Sequence, residues 1–263
     1  MNKSLLILLA IIIFAGWGCD KKDANFADSS SITLQNETPI EIIAVKETSY
    51  SVESIHEEST GRRIDLEYPV FEGSGDEYIK INEEIKKFVD ELKESFIEDY
   101  NGLDHEYDLG AWFLENSFTV PRNDESFISL VLEGGMYTGG AHPNYFYKTF
   151  LFNMEEEGSL MNTADIFNPE AGVLDEDSGA YVDWLNYISG QARLRLMQQD
   201  YADADWINEG AGPQAANFAL FYLTDKEIVF LFPPYQVAPY AAGQQQVQFT
   251  IDELAEYLRA YNF

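Results

Sequence analysis

The chain has 263 residues, of which 46% are hydrophobic and 14% aromatic, and this is enough to build a sizeable hydrophobic core. Its 46 acidic and 16 basic residues give a formal net charge of −30, which argues against nucleic-acid binding, because such binding needs basic groups to neutralise phosphates. The single cysteine excludes an internal disulfide framework and a cysteine-based zinc site. A surface this acidic serves solubility, and it also attracts cationic partners.

The N-terminus predicts export from the cytoplasm. Met1–Lys3 form a short basic start, and Leu5–Phe14 are continuously apolar. A membrane-spanning helix needs roughly 20 apolar residues, so this shorter run is typical of a signal peptide. The small residues before Cys19 resemble a bacterial lipoprotein signal, although Gly16 stands where an aliphatic residue is usual. The resemblance implies that Cys19 is lipidated and anchors the protein at the extracytoplasmic side of a membrane, the alternative being an ordinary cleaved signal.

The domain organisation follows from composition and pattern. Residues 1–18 are predicted to be the signal peptide, and residues 19–41 a flexible linker, because this stretch is polar and its few apolar residues follow no period. We expect two folded regions after it. The first is an α+β subdomain over residues 42–110, and the second is an α+β domain over residues 111–263.

Strands and one long helix are predicted in the first half of the chain. Ser49–Ser59 and Arg62–Val70 are predicted strands, the second because apolar and polar residues alternate along it. Glu77–Tyr100 is the clearest helix, since its apolar residues fall three and four positions apart and form one stripe. Three strands rich in aromatic and β-branched residues follow: Ala111–Val120, Ser126–Glu133 and Asn144–Asn153.

The second half predicts two helices and three more strands. These are a helix over Ala180–Gln199, a hairpin of Asn217–Leu223 and Glu227–Phe232, a last strand Val247–Ile251, and a short helix Glu253–Tyr261 capped by Asp252. We take the overall order as strand, helix, three strands, helix, three strands, helix. It predicts an α+β fold, with helices packed against a mostly antiparallel sheet.

Motifs of established catalytic chemistry are absent from the sequence, which has no H-E-x-x-H, Walker or G-x-S-x-G pattern. We therefore assign no catalytic residue, no cofactor and no metal site. His142 has the most distinctive context of the histidines, because it lies in the glycine-rich segment Gly134–Asn144. Three interpretations stay open for this segment: a structural loop between strands, a binding loop, and a loop that presents His142 as a general base.

A second segment, Phe232–Gly243, combines three prolines with Tyr235 and Tyr240. A stiff loop of this kind loses little entropy on binding, and tyrosine offers a large contact area. The alternative is that both tyrosines fold back and seal the edge of the core. The binding interpretation predicts one surface built from both segments: Tyr137, Thr138, His142 and Asn144 with Tyr235, Pro239 and Tyr240.

Gly139–His142 with Asn144, followed by Pro234–Gly243, resembles the C-terminal extracytoplasmic domain of RsiV-type anti-sigma factors, which also occurs in PdaC-type peptidoglycan deacetylases. The part around Glu77–Tyr100 is similar to the small domain that usually precedes it. The resemblance implies a binding protein of the cell envelope, with a cationic lysozyme-like muramidase or peptidoglycan as partner. It covers neither a sigma-binding segment nor a polysaccharide deacetylase domain, so we expect neither activity. The alternative is a cell-wall hydrolase or deacetylase-like enzyme that uses His142.

Overall fold

A computed structural model describes residues 47–103, 111–174, 181–261 and 263. The predicted signal peptide, Cys19 and the linker over residues 19–41 lie outside the described residues, so these assignments stay predictions. From residue 47 onward, the described residues belong to one compact unit. Within the described ranges, no helix has the length and apolar character needed to cross a membrane.

A six-stranded sheet organises the first part of the fold. Its strands are adjacent in chain order: β1 Tyr50–Ser59, β2 Arg62–Phe71, β3 Trp112–Asn123, β4 Phe127–Tyr137, β5 Asn144–Asn153 and β6 Ser159–Leu160. Neighbours pair antiparallel except β2 and β3, which pair in parallel over Arg62–Asp65 and Trp112–Glu115. Parallel neighbours need a crossover connection, and helix α1, Asp76–Asn101, lies in it.

The two faces of this sheet have different surroundings. Helix α1 buries its apolar stripe, which includes Ile81, Ile85 and Val89, in a core shared with β2, β3, β4 and β5. On the other face, β4 and β5 contact the C-terminal layer through residues such as Val131 and Leu151. Because side chains alternate along a strand, the remaining part of that face carries Asp65, Glu115 and Glu133.

The C-terminal layer consists of a small sheet and short helices. Antiparallel strands in the order β11–β10–β9 form the sheet: β9 Phe221–Leu223, β10 Glu227–Phe232 and β11 Gln245–Thr250. The helices are α2 Thr163–Ile166, α3 Trp184–Leu196, α4 Ala204–Gly210 and α5 Ile251–Leu254, and a hairpin of β7 Gly172–Leu174 and β8 Tyr181–Asp183 precedes α3. Single turns of 3₁₀ helix cover Met154–Glu156, Ala215–Phe218 and Tyr240–Ala242.

The predicted α+β class is confirmed, as is the hairpin between β9 and β10. The glycine-rich segment was predicted as a loop from Gly134 onward, but β4 continues to Tyr137. Only glycine fits at this position of the strand, because a Cβ atom on residue 134 would lie 2.2 Å from the Glu115 carbonyl oxygen, which is too close. Gly134 therefore lets neighbouring strands pack closely and does not form a turn.

The ends of the later helices also differ from the prediction. Helix α3 begins at Trp184 and not at Ala180, because Asp183 caps it by accepting a 2.9 Å hydrogen bond from the Asn186 backbone N–H. The last helix is capped by Thr250 and not by Asp252, since the Thr250 hydroxyl accepts from the Glu253 N–H at 3.1 Å. The predicted boundary between the two folded regions lies after residue 110. The strands before and after it, β2 and β3, pair directly in one sheet.

Candidate functional site

The two segments selected from the sequence meet in the structure. The Tyr240 ring stacks on His142 with ring centroids 4.1 Å apart and an interplanar angle of 26°. Its hydroxyl donates a 2.8 Å hydrogen bond to the Pro143 carbonyl oxygen. Tyr235 and Tyr145 complete the group, with centroids 5.6 and 6.0 Å from that of Tyr240. We call His142, Tyr145, Tyr235 and Tyr240 the aromatic cluster.

Backbone conformation sets the shape of both segments. Gly139 and Gly140 have φ values of 89° and 112°, a region that favours glycine, and the Tyr137 hydroxyl donates to the Gly140 carbonyl at 3.0 Å. Tyr235 has a φ of 75°, a conformation that is costly for a bulky side chain, yet its side chain is 55% exposed. Core packing therefore does not account for a tyrosine at this position.

The structure joins the two predicted segments through Tyr240, and the residues predicted to form the binding surface lie at different depths. His142, Asn144, Tyr235 and Pro239 are exposed, whereas Tyr137, Thr138 and Tyr240 are half-buried. The Tyr137 ring stacks on Phe113 of β3, with centroids 6.0 Å apart. The alternative in which both tyrosines seal the core edge does not describe Tyr235, and Tyr240 joins two surface segments. Their part in binding stays a prediction.

The contacts of His142 do not assemble an acid–base catalyst. Its Nδ1 atom lies 2.8 Å from the Pro143 carbonyl oxygen, and its ring faces Tyr240. A catalytic base is normally oriented by a carboxylate and lies within reach of a nucleophile. Among the described residues, neither group is in contact with His142, so this geometry favours a surface role over the general-base interpretation.

Beside the aromatic cluster lies a groove that the sequence did not predict. It has a volume of about 660 Å³ and lies on the outward face of β2 to β5, within the size range of small-ligand sites. Three rings and four carboxylates line it: Phe113, Tyr145 and Tyr147 with Asp65, Glu67, Glu115 and Glu133. Pro143 and Tyr145 lie at its border with the aromatic cluster, so the groove and the cluster form one continuous surface.

The register of the strands explains the hollow. Gly135 lies opposite Glu115 on β3 and Tyr145 on β5. A Cβ atom at Gly135 would meet only ring atoms of Phe113 and Tyr145, at an ordinary 3.8 Å. The fold therefore tolerates a methyl group at this buried position, and Gly135 forms part of the groove lining.

Two of the four carboxylates share one neighbouring arginine. Arg63 contacts Glu115 at 2.7 Å and Asp65 at 3.2 Å, and His56 Nδ1 lies 2.5 Å from Asp65. Asn116 holds the backbone of Glu67 by accepting from its N–H at 3.0 Å and donating to its carbonyl at 2.8 Å.

Glu67 and Glu133 are different, because no described cation forms an ion pair with either side chain. Burial raises the pKa of the neighbouring Tyr147 hydroxyl, and the charge of Glu133 raises it further. The groove therefore combines a partly dehydrated wall with uncompensated negative charge.

Comparison with known proteins relates these two parts of the fold to two families. Residues 55–145 match the family model described as "Deacetylase PdaC", and residues 164–252 match "Protein of unknown function (DUF3298)". Neither match covers half of the chain. The first matched region contains His142, Tyr145 and all the residues lining the groove except Tyr147. Tyr235 and Tyr240 lie in the second, so the aromatic cluster bridges both matched regions.

A relative with a curated description is the peptidoglycan-N-acetylmuramic acid deacetylase PdaC of Bacillus subtilis strain 168, 24% identical over 196 residues. The match covers 74% of this chain but only 38% of that protein, so the chain spans well under half of the relative's length. The predicted resemblance to PdaC-type proteins is supported to this extent. The likeness to RsiV-type anti-sigma factors stays a prediction.

Two solved structures share the fold. A DUF3298 family member from Bacteroides fragilis NCTC 9343 has a TM-score of 0.51 and 15% identity, covering 82% of this chain and 96% of that chain. A DUF3298 family protein from Pseudomonas aeruginosa PAO1 has a TM-score of 0.54 and 13% identity, covering 81% and 95%. At such identities the likeness concerns the fold alone.

Proposed function

We propose that this protein is a lipid-anchored protein of the cell envelope that binds the glycan of peptidoglycan without cleaving it. The groove on β2 to β5 carries the proposal, because its rings stand beside carboxylates. Sugar rings pack their C–H faces on aromatic rings, and their hydroxyls exchange hydrogen bonds with carboxylates and amides. Phe113, Tyr145 and Tyr147 are the stacking groups, and Glu67 and Glu133 are the acceptors.

Two further observations support a role at the cell wall. The groove lies in the region matched by the PdaC family model, and the relative PdaC is named for its action on peptidoglycan. The N-terminal sequence predicts export with an anchor at Cys19, which would hold the groove on the extracytoplasmic side of the membrane.

Cosedimentation with purified peptidoglycan tests the proposal. Residues 20–263 contain the whole compact unit and should pellet with the polymer. Tyr145→Ala should weaken binding by about 1–3 kcal/mol, as expected for an exposed ring at the centre of a contact, because this side chain is 54% exposed. Tyr201→Ala is the matched control, since Tyr201 is 59% exposed and lies outside the groove. Equal sedimentation of wild type and Tyr145→Ala would contradict the assignment.

A cationic lysozyme-like muramidase is the second candidate ligand. The net charge of −30 favours it, because opposite charge accelerates association of two proteins. Exposed His142 and Tyr235 would supply the contact area. Calorimetry with a cationic lysozyme should then detect binding that weakens with salt and with Tyr235→Ala. An affinity that changes neither with salt nor with Tyr235→Ala would exclude this candidate, as would the absence of binding at low salt.

A further inference from the structure

We propose that the groove selects glycan whose sugar amines are free and protonated, that is, de-N-acetylated amino sugar, an inference that rests on the proposed glycan-binding function. Removal of an N-acetyl group by hydrolysis converts an acetamide and water into an amine and acetate. The amine binds a proton, so each such sugar gains a positive charge. The ligand would therefore be the product of an N-deacetylation reaction that this protein does not itself perform.

The charge of the groove carries the first step. Its described lining includes four carboxylates and no lysine or arginine. Arg63 pairs with both Asp65 and Glu115 from outside the lining, and His56 contacts Asp65, whereas Glu67 and Glu133 are left for the ligand. An N-acetylated sugar offers these carboxylates only a neutral amide N–H. A protonated amine instead gains a charge-assisted hydrogen bond.

The position of Glu133 carries the second step. Its partner across the sheet on β5 is Tyr147, and burial, aided by the Glu133 charge, raises the pKa of that hydroxyl. Glu133 is itself exposed, so a cation from solvent can reach its carboxylate while that cation packs against the Tyr147 ring. An amine held here has one wall of apolar ring and one of negative charge.

Gly135 carries the third step. Glycine weakens a strand and in such positions marks a close approach by a ligand. Neither space nor a left-handed backbone requires glycine here, because an added Cβ would lie 3.8 Å from Phe113 and Tyr145 and Gly135 is not among the positive-φ residues. Its neighbour Gly134 has a steric reason, a contact of 2.2 Å with backbone. Gly135 is itself buried, so its bare backbone forms part of the groove lining between Phe113 and Tyr145, the rings on which a sugar would stack.

Calorimetry with a matched pair of sugars tests the inference on residues 20–263. We expect a β-1,4-linked glucosamine tetrasaccharide, at a pH where its amines are protonated, to bind about tenfold or more tightly than the N-acetylated tetrasaccharide. Glu133→Gln keeps an acceptor oxygen for sugar hydroxyls but removes the charge, so it should weaken the amine ligand about tenfold more than it weakens the acetylated ligand. Glu67→Gln should act in the same direction. Glu84→Gln is the control, because Glu84 is exposed on α1, which covers the other face of the sheet.

The outcomes separate the two levels of the proposal. Equal affinity for both sugars, or tighter binding of the acetylated one, overturns the amine preference while glycan binding stands. No binding of either sugar, together with no cosedimentation with peptidoglycan, overturns the proposed function as well. Tetralysine reports on charge alone, so tetralysine binding as tight as the glucosamine tetrasaccharide would also overturn the amino-sugar assignment. Melting curves of each variant confirm that the fold is retained.

Discussion

Tyr240 is expected to fasten the segment over residues 138–143 to the segment over residues 233–243. Its hydroxyl bond to the Pro143 carbonyl is worth about 1 kcal/mol. Of its ring contacts, the close stack on His142 adds about 0.5–1.5 kcal/mol, and the more distant pairs with Tyr235 and Tyr145 add less. Tyr240→Ala should therefore lower the free energy of unfolding by about 2–3 kcal/mol, between the cost of a free surface ring and that of a core aromatic residue.

Thermal unfolding measures this loss. For a unit of this size, 1 kcal/mol corresponds to a shift in Tm of about 2–4 °C, so Tyr240→Ala should melt about 4–12 °C lower. Tyr240→Phe keeps the rings and removes only the hydroxyl bond, and it should melt about 2–4 °C lower. Tyr201→Phe alters an exposed tyrosine elsewhere and should melt as the wild type does. A Tyr240→Ala protein with an unchanged Tm would refute the fastening role.

Four other predictions follow from the described contacts. Gly134→Ala should destabilise strongly, because its Cβ would meet backbone at 2.2 Å, whereas Gly135→Ala, with contacts of 3.8 Å, should melt almost as the wild type does. Cys19→Ala should leave the membrane fraction or fail to be processed, and unchanged membrane partition would disprove the anchor. A fragment of residues 47–110 should show poorly dispersed amide spectra, since it lacks β3 and the core residues that follow. Above pH 10 the protein should lose stability, because the raised pKa of Tyr147 lets the unfolded state ionise first, and Tyr147→Phe should reduce that loss on alkaline melting curves.

Elements with a strong local pattern were predictable. The apolar stripe of α1 placed the helix within one residue of Asp76–Asn101 at either end, and β5 has the predicted bounds Asn144–Asn153. The end of β4 was not predictable from the sequence, because two adjacent glycines indicate a turn locally. In the structure, Gly134 is instead required by a close backbone contact across the sheet. The cap of α5 likewise depended on backbone geometry that favours Thr250 over Asp252.

The candidate site was predictable only in part. Both segments of the aromatic cluster are unusual in composition, and this pointed to His142 and Tyr240 before their contact was known. The groove depends on the parallel pairing of β2 with β3, which are joined through α1. No local pattern fixes that register, so Asp65 and Glu115 could not be placed side by side. The one signal in the sequence was that Asp65 and Glu115 each follow an apolar residue along their strands.

The most direct measurement is an amide chemical-shift titration of residues 20–263 with a soluble peptidoglycan glycan tetrasaccharide, in acetylated and de-N-acetylated forms. Binding in the groove predicts shifts concentrated at Glu133, Gly135 and Tyr145, with larger changes for the de-N-acetylated form. The shifts should be absent for amides of α1, which covers the opposite face of the sheet. Shifts confined to other surfaces, or none at saturating sugar, would contradict the assignment of this groove as a glycan site.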